Sequence, residues 1–331
     1  MNISASIAKP HKLAGKRIVR QREIIDRRVL SSKIEALIYE HGISKARAEI
    51  LPVLQSALAD GRAEIGRRLL KRSSAGHEAA IAQSFLVDQL VRLIHDVAVH
   101  HQYPVSNPSS GERIAIMAVG GYGRGEMAPH SDVDIAFLTP FKQTGWTEQV
   151  VEAMLYWLWD LGLKVGQSSR SIDEMVRMAN EDLSIRTALL EGRFIWGDEG
   201  VYEEARTRFF ADVVAGTDRK FVADKLAERD ARHKKMGDSR YVVEPNVKEG
   251  KGGLRDLQTL YWIGKYIHKV RSASDLIEVG LLTKLEYRSF RRAEAFMLAV
   301  RCHLHMITDR AEDRLTFDLQ REVAARMNFS D

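Results

Sequence analysis

Ala118-Val119-Gly120-Gly121-Tyr122-Gly123-Arg124-Gly125-Glu126-Met127-Ala128-Pro129-His130-Ser131-Asp132-Val133-Asp134-Ile135 is the stretch on which the fold turns. Before it, Ile114, Ile116 and Val119 sit among small apolar neighbours in a short run bounded by glycines, which predicts a buried strand. After it, Asp132 to Leu138 predicts a second strand, ended by Thr139-Pro140. Residues two apart on a strand share a face. Val133 and Ile135 therefore point to the core, and Asp132 and Asp134 lie side by side on the open face. Two carboxylates this close repel unless a cation is shared. An oxygen-loving divalent ion such as Mg²⁺ resolves the repulsion and bridges to substrate phosphates. Gly120 and Gly121, lacking side chains, let the backbone approach a phosphate chain. Together these features point to metal-assisted transfer from a nucleoside triphosphate. Arg124 and Ser131 fall in the same stretch and join the glycines as nucleotide-binding candidates. The glycines at 121, 123 and 125 do not match a dinucleotide-binding fingerprint, because the third comes one residue early.

Working outward, residues 29–100 read as helical, with breaks at Gly42 and at Ser73-Ser74-Ala75-Gly76. Residues 147–161 return to helical spacing, Gly162 stops them, and Leu163 to Arg170 is a candidate third strand. Beyond this the chain reads as helices near 172–179, 182–196, 217–236, 254–268, 275–287 and 289–309, interrupted by a loop from Val243 to Gly253. The expected architecture is α+β: a small mixed sheet with helices, flanked by helical segments. The expected divisions are a basic, disordered tail over 1–25, a catalytic domain with N-terminal helices over 26–200, and a helical domain over 201–331.

The chain has 331 residues, a net charge of +5 and a single cysteine, Cys302. No disulfide framework is possible within it, and a reducing cytoplasm is the simplest setting. No apolar run approaches the ~20 residues of a membrane span, so no membrane association is expected. Residues 9–28 carry Lys9, Lys12, Lys16, Arg17, Arg20, Arg22, Arg27 and Arg28 against Glu23 and Asp26. No aromatic residue interleaves with them, so they read as a solvated tail and no nucleic-acid partner is expected.

A second motif lies at Val243-Glu-Pro-Asn-Val-Lys-Glu-Gly-Lys-Gly-Gly-Leu-Arg-Asp-Leu-Gln258. It is a glycine-rich, basic loop leading into a helix start, which suits phosphates. Lys248 and Lys251 are its candidate contacts to a nucleotide or to an acceptor surface, although a plain turn with paired charges has the same composition.

The glycine pair, the ten residues from Tyr122 to Ser131 and the Asp132-Val133-Asp134 triplet resemble the polymerase-β-like nucleotidyltransferase superfamily. The second motif resembles that of the bacterial PII uridylyltransferase/uridylyl-removing family. So do Leu158-Trp159-Asp160-Leu161-Gly162-Leu163 with Val165-Gly166, and Arg314-Leu315-Thr316-Phe317-Asp318. The resemblance implies transfer of UMP from UTP to a tyrosine of the PII nitrogen-regulatory protein, with Mg²⁺ on Asp132 and Asp134 and release of pyrophosphate. It also implies a longer family chain, with a metal-dependent hydrolase and glutamine-sensing domains beyond Asp331. This chain accordingly reads as the transferase portion, without uridylyl removal or a glutamine response. The superfamily usually places a third acid on a neighbouring strand, and 163–170 has none. Asp182 and Glu191 fall on an expected helix and read as surface residues, so the third ligand stays unassigned. Two alternatives remain open: an adenylyltransferase of the same superfamily, and a non-catalytic nucleotide-binding regulatory module.

Overall fold

The computed structural model describes residues 18–107, 109–239, 241–270 and 273–329. Most of the expected basic tail, residues 1–17, lies outside the described residues. Its last part is ordered differently from the expectation: Gln21–Ile24 form a one-turn helix, α1, and Ile24 and Ile25 are buried. Two adjacent isoleucines are enough to pin this segment to the apolar face beside it.

Three long helices follow, α2 (Arg27–His41), α3 (Ile43–Lys71) and α4 (Gly76–Val97). Asp26 caps α2 by accepting from the amides of Arg28 and Val29. Gly42 separates α2 from α3 at φ 70, a backbone angle open to glycine. Helix α3 buries one stripe, Ile50, Leu54, Leu58, Ile65 and Leu69, at the spacing of an amphipathic helix. Helix α4 is buried nearly all round, because α3, α6, α13 and a sheet edge pack on it from different sides.

The sheet comprises β1 (Ala115–Ala118), β2 (Val133–Thr139), β3 (Val165–Ser171) and β4 (Arg193–Gly197), in the order β3-β2-β1-β4. A five-residue helix, α5 (Gly120–Arg124), starts the connection from β1 to β2. Helix α6 (Gly145–Asp160) makes the crossover that the parallel β2–β3 pair needs. The β1–β2 and β1–β4 pairs are antiparallel, so the sheet is mixed as expected. Helices α7 (Ile172–Glu181) and α8 (Leu183–Leu190) lead to β4, and α9 (Glu199–Phe209) follows it.

The helix expected over 182–196 is therefore wrong in its second half. Gly192 and Gly197 bracket Phe194-Ile195-Trp196, a β-prone run, and β4 pairs with β1 through them. Alternation divides the sheet between two cores. Ile116, Ala118, Val133, Ile135 and Phe137 pack with α3, α4 and α6, whereas Ala115, Met117, Ala136 and Leu138 pack with α7, α9 and the aromatics Phe221, Trp262 and Tyr266. The aspartate face is thus not open along its length. Only the start of β2 runs out beyond the second core.

The remaining helices are α10 (Asp218–Lys235), α11 (Leu254–His268), α12 (Asp275–Glu278), α13 (Lys284–Thr308) and α14 (Phe317–Arg326). The two helices expected over 275–287 and 289–309 divide elsewhere. Helix α12 stops before Gly280, at φ 74, and Thr283 opens α13 by a capping box with Glu286. Helices α10 and α11 contribute Phe221, Trp262 and Tyr266 to the second core, and α13 lies along α4, so the helices after residue 200 share packing with those before it. Among the described residues no helix is long and apolar enough to cross a membrane.

Candidate active site

A cleft of about 590 Å³ opens where the start of β2, the glycine turn, α8, α11 and the 243–253 loop meet. Asp132 lies just before β2 and is exposed, and Asp134 is half-buried on the strand. The Val119 amide donates to the Asp134 carbonyl, which fixes the glycine turn to the strand that carries the acids. Gly120, at φ +56, and Gly166, opposite Asp134 on β3, leave the Asp134 carboxylate uncovered on two sides: a Cβ at 120 would come within 3.4 Å of Oδ2, and one at 166 within 2.3 Å of Oδ1.

Neither aspartate side chain has a hydrogen-bond or ion-pair partner among the described residues. Burial raises the Asp134 carboxyl above its ordinary range, the Asp132 charge raises it further, and Lys248 partly offsets both. These are the conditions under which a shared divalent cation is favourable, since it neutralises both carboxylates and fills the lone pairs left free. Asp132 and Asp134 are the residues that fit such an ion. Among the described residues no group of three or more acidic, histidine or cysteine side chains is gathered around one point.

The other expected residues fall in two places. Gly120, Gly121, Arg124, Ser131 and Lys248 line the cleft with the aspartates. Ser131 also accepts from the Ala128 amide and so shapes the turn before Asp132. Lys251 does not join them: it faces away, 2.8 Å from Asp238.

Arg124 is buried and already engaged, donating to Glu126 and to Glu191, each at 2.8 Å. Glu191, expected on the surface, is fully buried at the end of α8 and also faces Lys265 at 3.7 Å. Its burial follows from β4: once the chain turns into a strand at 193, residue 191 is drawn under the glycine turn. A Cβ on Gly123 would meet the Glu191 carbonyl at 2.3 Å. Asp182, the other acid considered, caps α8 through Ser184 and Ile185.

Several cleft residues carry signals that sequence reading passed over. Arg255, Gln258 and Trp262 project from one face of α11 at helical spacing. The Trp262 ring is flanked by Arg124, Lys225 and Arg255, at 5.7, 4.3 and 5.4 Å from its centroid. Cations gathered over an indole face are held in place by the ring, and each of these three also pairs with a carboxylate of the cleft: Arg124 with Glu126 and Glu191, Lys225 with Glu228, and Arg255 with Glu249. Gln258 donates to Glu126 and accepts from Arg255, which ties α11 to the glycine turn. Lys248 stands 3.9 Å from Asp313, and burial lowers its pKa. The segment around Asp313 is clipped to the loop by Val247 N–H to Asp313 O and Leu315 N–H to Pro245 O, together with an Asn246–Arg314 bridge. The second motif and the Arg314–Asp318 motif are therefore one structural unit that delivers Lys248 to the aspartates.

A small mixed sheet that presents a glycine turn and an Asp-x-Asp pair to a cleft lined with charged side chains defines a nucleotidyltransferase domain, and a nucleotidyltransferase domain model matches residues 106–195. A second model, GlnD PII-uridylyltransferase, matches residues 220–331. The chain is 68% identical over 315 residues to the bifunctional uridylyltransferase/uridylyl-removing enzyme of Novosphingobium aromaticivorans, covering 95% of this chain and 34% of that protein. It is 66% identical to that of Erythrobacter litoralis over the same shares, and 52% identical to that of Rhodospirillum rubrum. The chain belongs to this uridylyltransferase family. It spans about a third of the length of these relatives, 34%.

Proposed function

We propose that this chain transfers UMP from UTP to a tyrosine hydroxyl of a PII signalling protein and releases pyrophosphate. The observation that carries this reading is the pair of partnerless carboxylates, Asp132 and Asp134, facing the glycine turn and Lys248 across one cleft. The names of the relatives supply the uridylyl group and the PII acceptor. A divalent ion, Mg²⁺, held by Asp132 and Asp134 would neutralise charge on the phosphorus under attack and on the leaving pyrophosphate.

The chain's own residues do the rest. Gly120 and Gly121 give the triphosphate room against the backbone. Lys248 meets its charge from the opposite wall, and Arg255 and Lys225 lie over Trp262 farther along the cleft, paired with Glu249 and Glu228. Arg124 is spent on Glu126 and Glu191 and so stiffens the turn. The phenolic oxygen bonds to the α-phosphorus as the bond to the β-phosphate oxygen breaks, and the phenolic proton is released. Preorganised positive charge at the reacting phosphate is the main source of rate in such transfers.

The test is to incubate the chain with PII protein and labelled UTP or ATP plus Mg²⁺, and to follow label on PII. Label from UTP, lost in Asp134→Asn, supports the reading. Label from ATP alone makes the chain an adenylyltransferase. Nucleotide binding without any label makes it a regulatory module.

A further inference from the structure

His305 lies on α13, far from the aspartates in sequence, and its side chain is wholly buried. It bonds at both ring nitrogens. Nδ1 lies 3.2 Å from the backbone nitrogen of His130, in the turn that leads into Asp132. Nε2 lies 3.3 Å from Asp313 Oδ1. A backbone N–H can only donate, so Nδ1 holds the lone pair and Nε2 carries the proton that goes to Asp313. The ring is thus a neutral bridge of fixed polarity.

Its two ends belong to different halves of the site. Asp313 also accepts from Arg301 Nε at 2.6 Å and stands 3.9 Å from Lys248 Nζ. Its carbonyl accepts from Val247, the residue before Lys248. His130 is two residues from Asp132 in a turn closed by Ala128 and Ser131. One imidazole therefore joins the turn that carries the acids to the loop that carries the lysine.

We propose that His305 is a positioning residue that sets the Asp132–Asp134 turn against the Lys248–Asp313 loop, and so fixes the separation between the metal-holding and phosphate-holding sides of the cleft. This role rests on the reading of Asp132 and Asp134 as metal ligands. The outer contact of the turn to α13, His130 Nε2 to Asp309 at 3.2 Å, ends on a carboxylate that is 95% exposed. An exposed pair of that kind holds geometry weakly.

The two bonds are separable by substitution. An asparagine places its polar end near the inner ring nitrogen, and a glutamine near the outer one. His305→Asn keeps an acceptor for the His130 amide and loses the donor to Asp313. His305→Gln does the reverse. One hydrogen bond corresponds to roughly three- to tenfold in an equilibrium constant. His305→Asn should raise the KM for UTP by that factor and leave Mn²⁺ binding, followed by electron paramagnetic resonance without nucleotide, unchanged. His305→Gln should weaken Mn²⁺ binding by a similar factor and leave the KM for UTP nearly unchanged. Asp313→Asn, which alters the far partner while keeping the histidine, should reproduce His305→Asn and serves if either histidine variant fails to fold. Equal shifts of both constants in both variants, or no shift in either, would overturn the role. Asp134→Asn is the control: if it binds Mn²⁺ like the wild type, the metal reading itself fails, whatever the histidine variants do.

Discussion

Asp134 of β2 and Gly166 of β3 stand opposite each other in the parallel ladder, and a Cβ on Gly166 would lie 2.3 Å from the Asp134 Oδ1 atom. Nothing else crowds that position, which is exposed to solvent. Alanine at 166 therefore leaves the strand intact and forces the carboxylate to rotate away. A misplaced ligand or reacting group of about 1 Å costs on the order of 10²-fold in rate. Gly166→Ala should accordingly lose roughly that factor in turnover with a melting temperature close to that of the wild type. A fully active Gly166→Ala protein would show that the orientation of Asp134 is irrelevant to the chemistry.

The same carboxylate links the site to stability. Burial and the Asp132 charge raise the Asp134 pKa in the folded chain. A raised folded value means stability that is fully present below the unfolded pKa and lost as pH rises through the folded pKa. At neutral pH the metal-free protein therefore carries an unfavourable ionised Asp134. Asp134→Asn should melt above the wild type at pH 7 without metal, and the difference should vanish in acid, where both side chains are uncharged. Added Mg²⁺ or Mn²⁺ should raise the wild-type midpoint by ligand linkage and leave the variant's unmoved. Equal metal shifts in the two proteins would place the ion elsewhere. In turnover, Asp132→Asn and Asp134→Asn should each cost at least about 10²-fold, because a bound metal supplies several kcal/mol of charge stabilisation.

How much of this was legible in the sequence depends on range. The glycine turn, the acids and the strands that hold them are local, all within one continuous stretch, and periodicity and turn chemistry place them well, with β1 at Ala115–Ala118 and β2 at Val133–Thr139. The α11 span, Leu254–His268, was also readable, because its glycine-rich start and amphipathic face agree. Strand β4 was not. Thr187 to Leu190 continue a helical pattern up to Gly192, and only pairing with β1 makes the five residues after it a strand. Glu191 was misplaced for the same reason, since its burial depends on where β4 goes. Asp313, Arg301 and His305 reach the site through α13 and the clip onto the 243–253 loop, contacts that span more than 60 residues and leave no periodic trace. The second motif could be recognised as a phosphate-friendly loop, but its composition treats Lys248 and Lys251 alike.

Neighbouring glycines in the turn should respond oppositely to substitution. A Cβ on Gly121 finds only ordinary contacts, Arg124 Nη2 at 3.7 Å and the Glu126 carbonyl at 3.9 Å. On Gly123 it strikes the Glu191 carbonyl at 2.3 Å and the Ala118 carbonyl at 2.9 Å, both backbone atoms that cannot yield. Gly123→Ala should thus destabilise the fold, by about 1–3 kcal/mol as for other overpacked positions. Gly121→Val should fold, and lose affinity for UTP because its branches stand where the phosphates approach. Denaturant midpoints and nucleotide titration separate the two. A Gly121→Val protein with wild-type affinity would argue against the turn as a phosphate seat.

Lys248 and Lys251 lie three residues apart, yet the fold divides their work. Lys251 Nζ is 2.8 Å from Asp238 on the far side of the loop, with the aspartate 61% exposed. An exposed pair like this is worth about 0–1 kcal/mol, so Lys251→Ala should change neither the KM for UTP nor the melting temperature appreciably. Lys248 lines the cleft and is near enough to Asp134 to offset its raised pKa. Lys248→Ala should raise the KM for UTP, roughly tenfold if one charge-assisted contact of about 1.5–3 kcal/mol is partly lost. The defect should shrink in high salt, where the remaining charges of the cleft are screened as well. There is also a pH limb. Burial, reinforced by Arg301, lowers the Lys248 pKa below that of an ordinary lysine, although Asp313 counters part of the shift. Its charge is complete below the folded pKa and disappears as pH rises through it, so the wild-type KM for UTP should climb on the alkaline side earlier than an exposed lysine would allow. Lys248→Ala should lack that climb, and Lys251→Ala should keep it. If the alkaline limb persists in Lys248→Ala, the titrating group is another one and Lys248 does not hold the triphosphate.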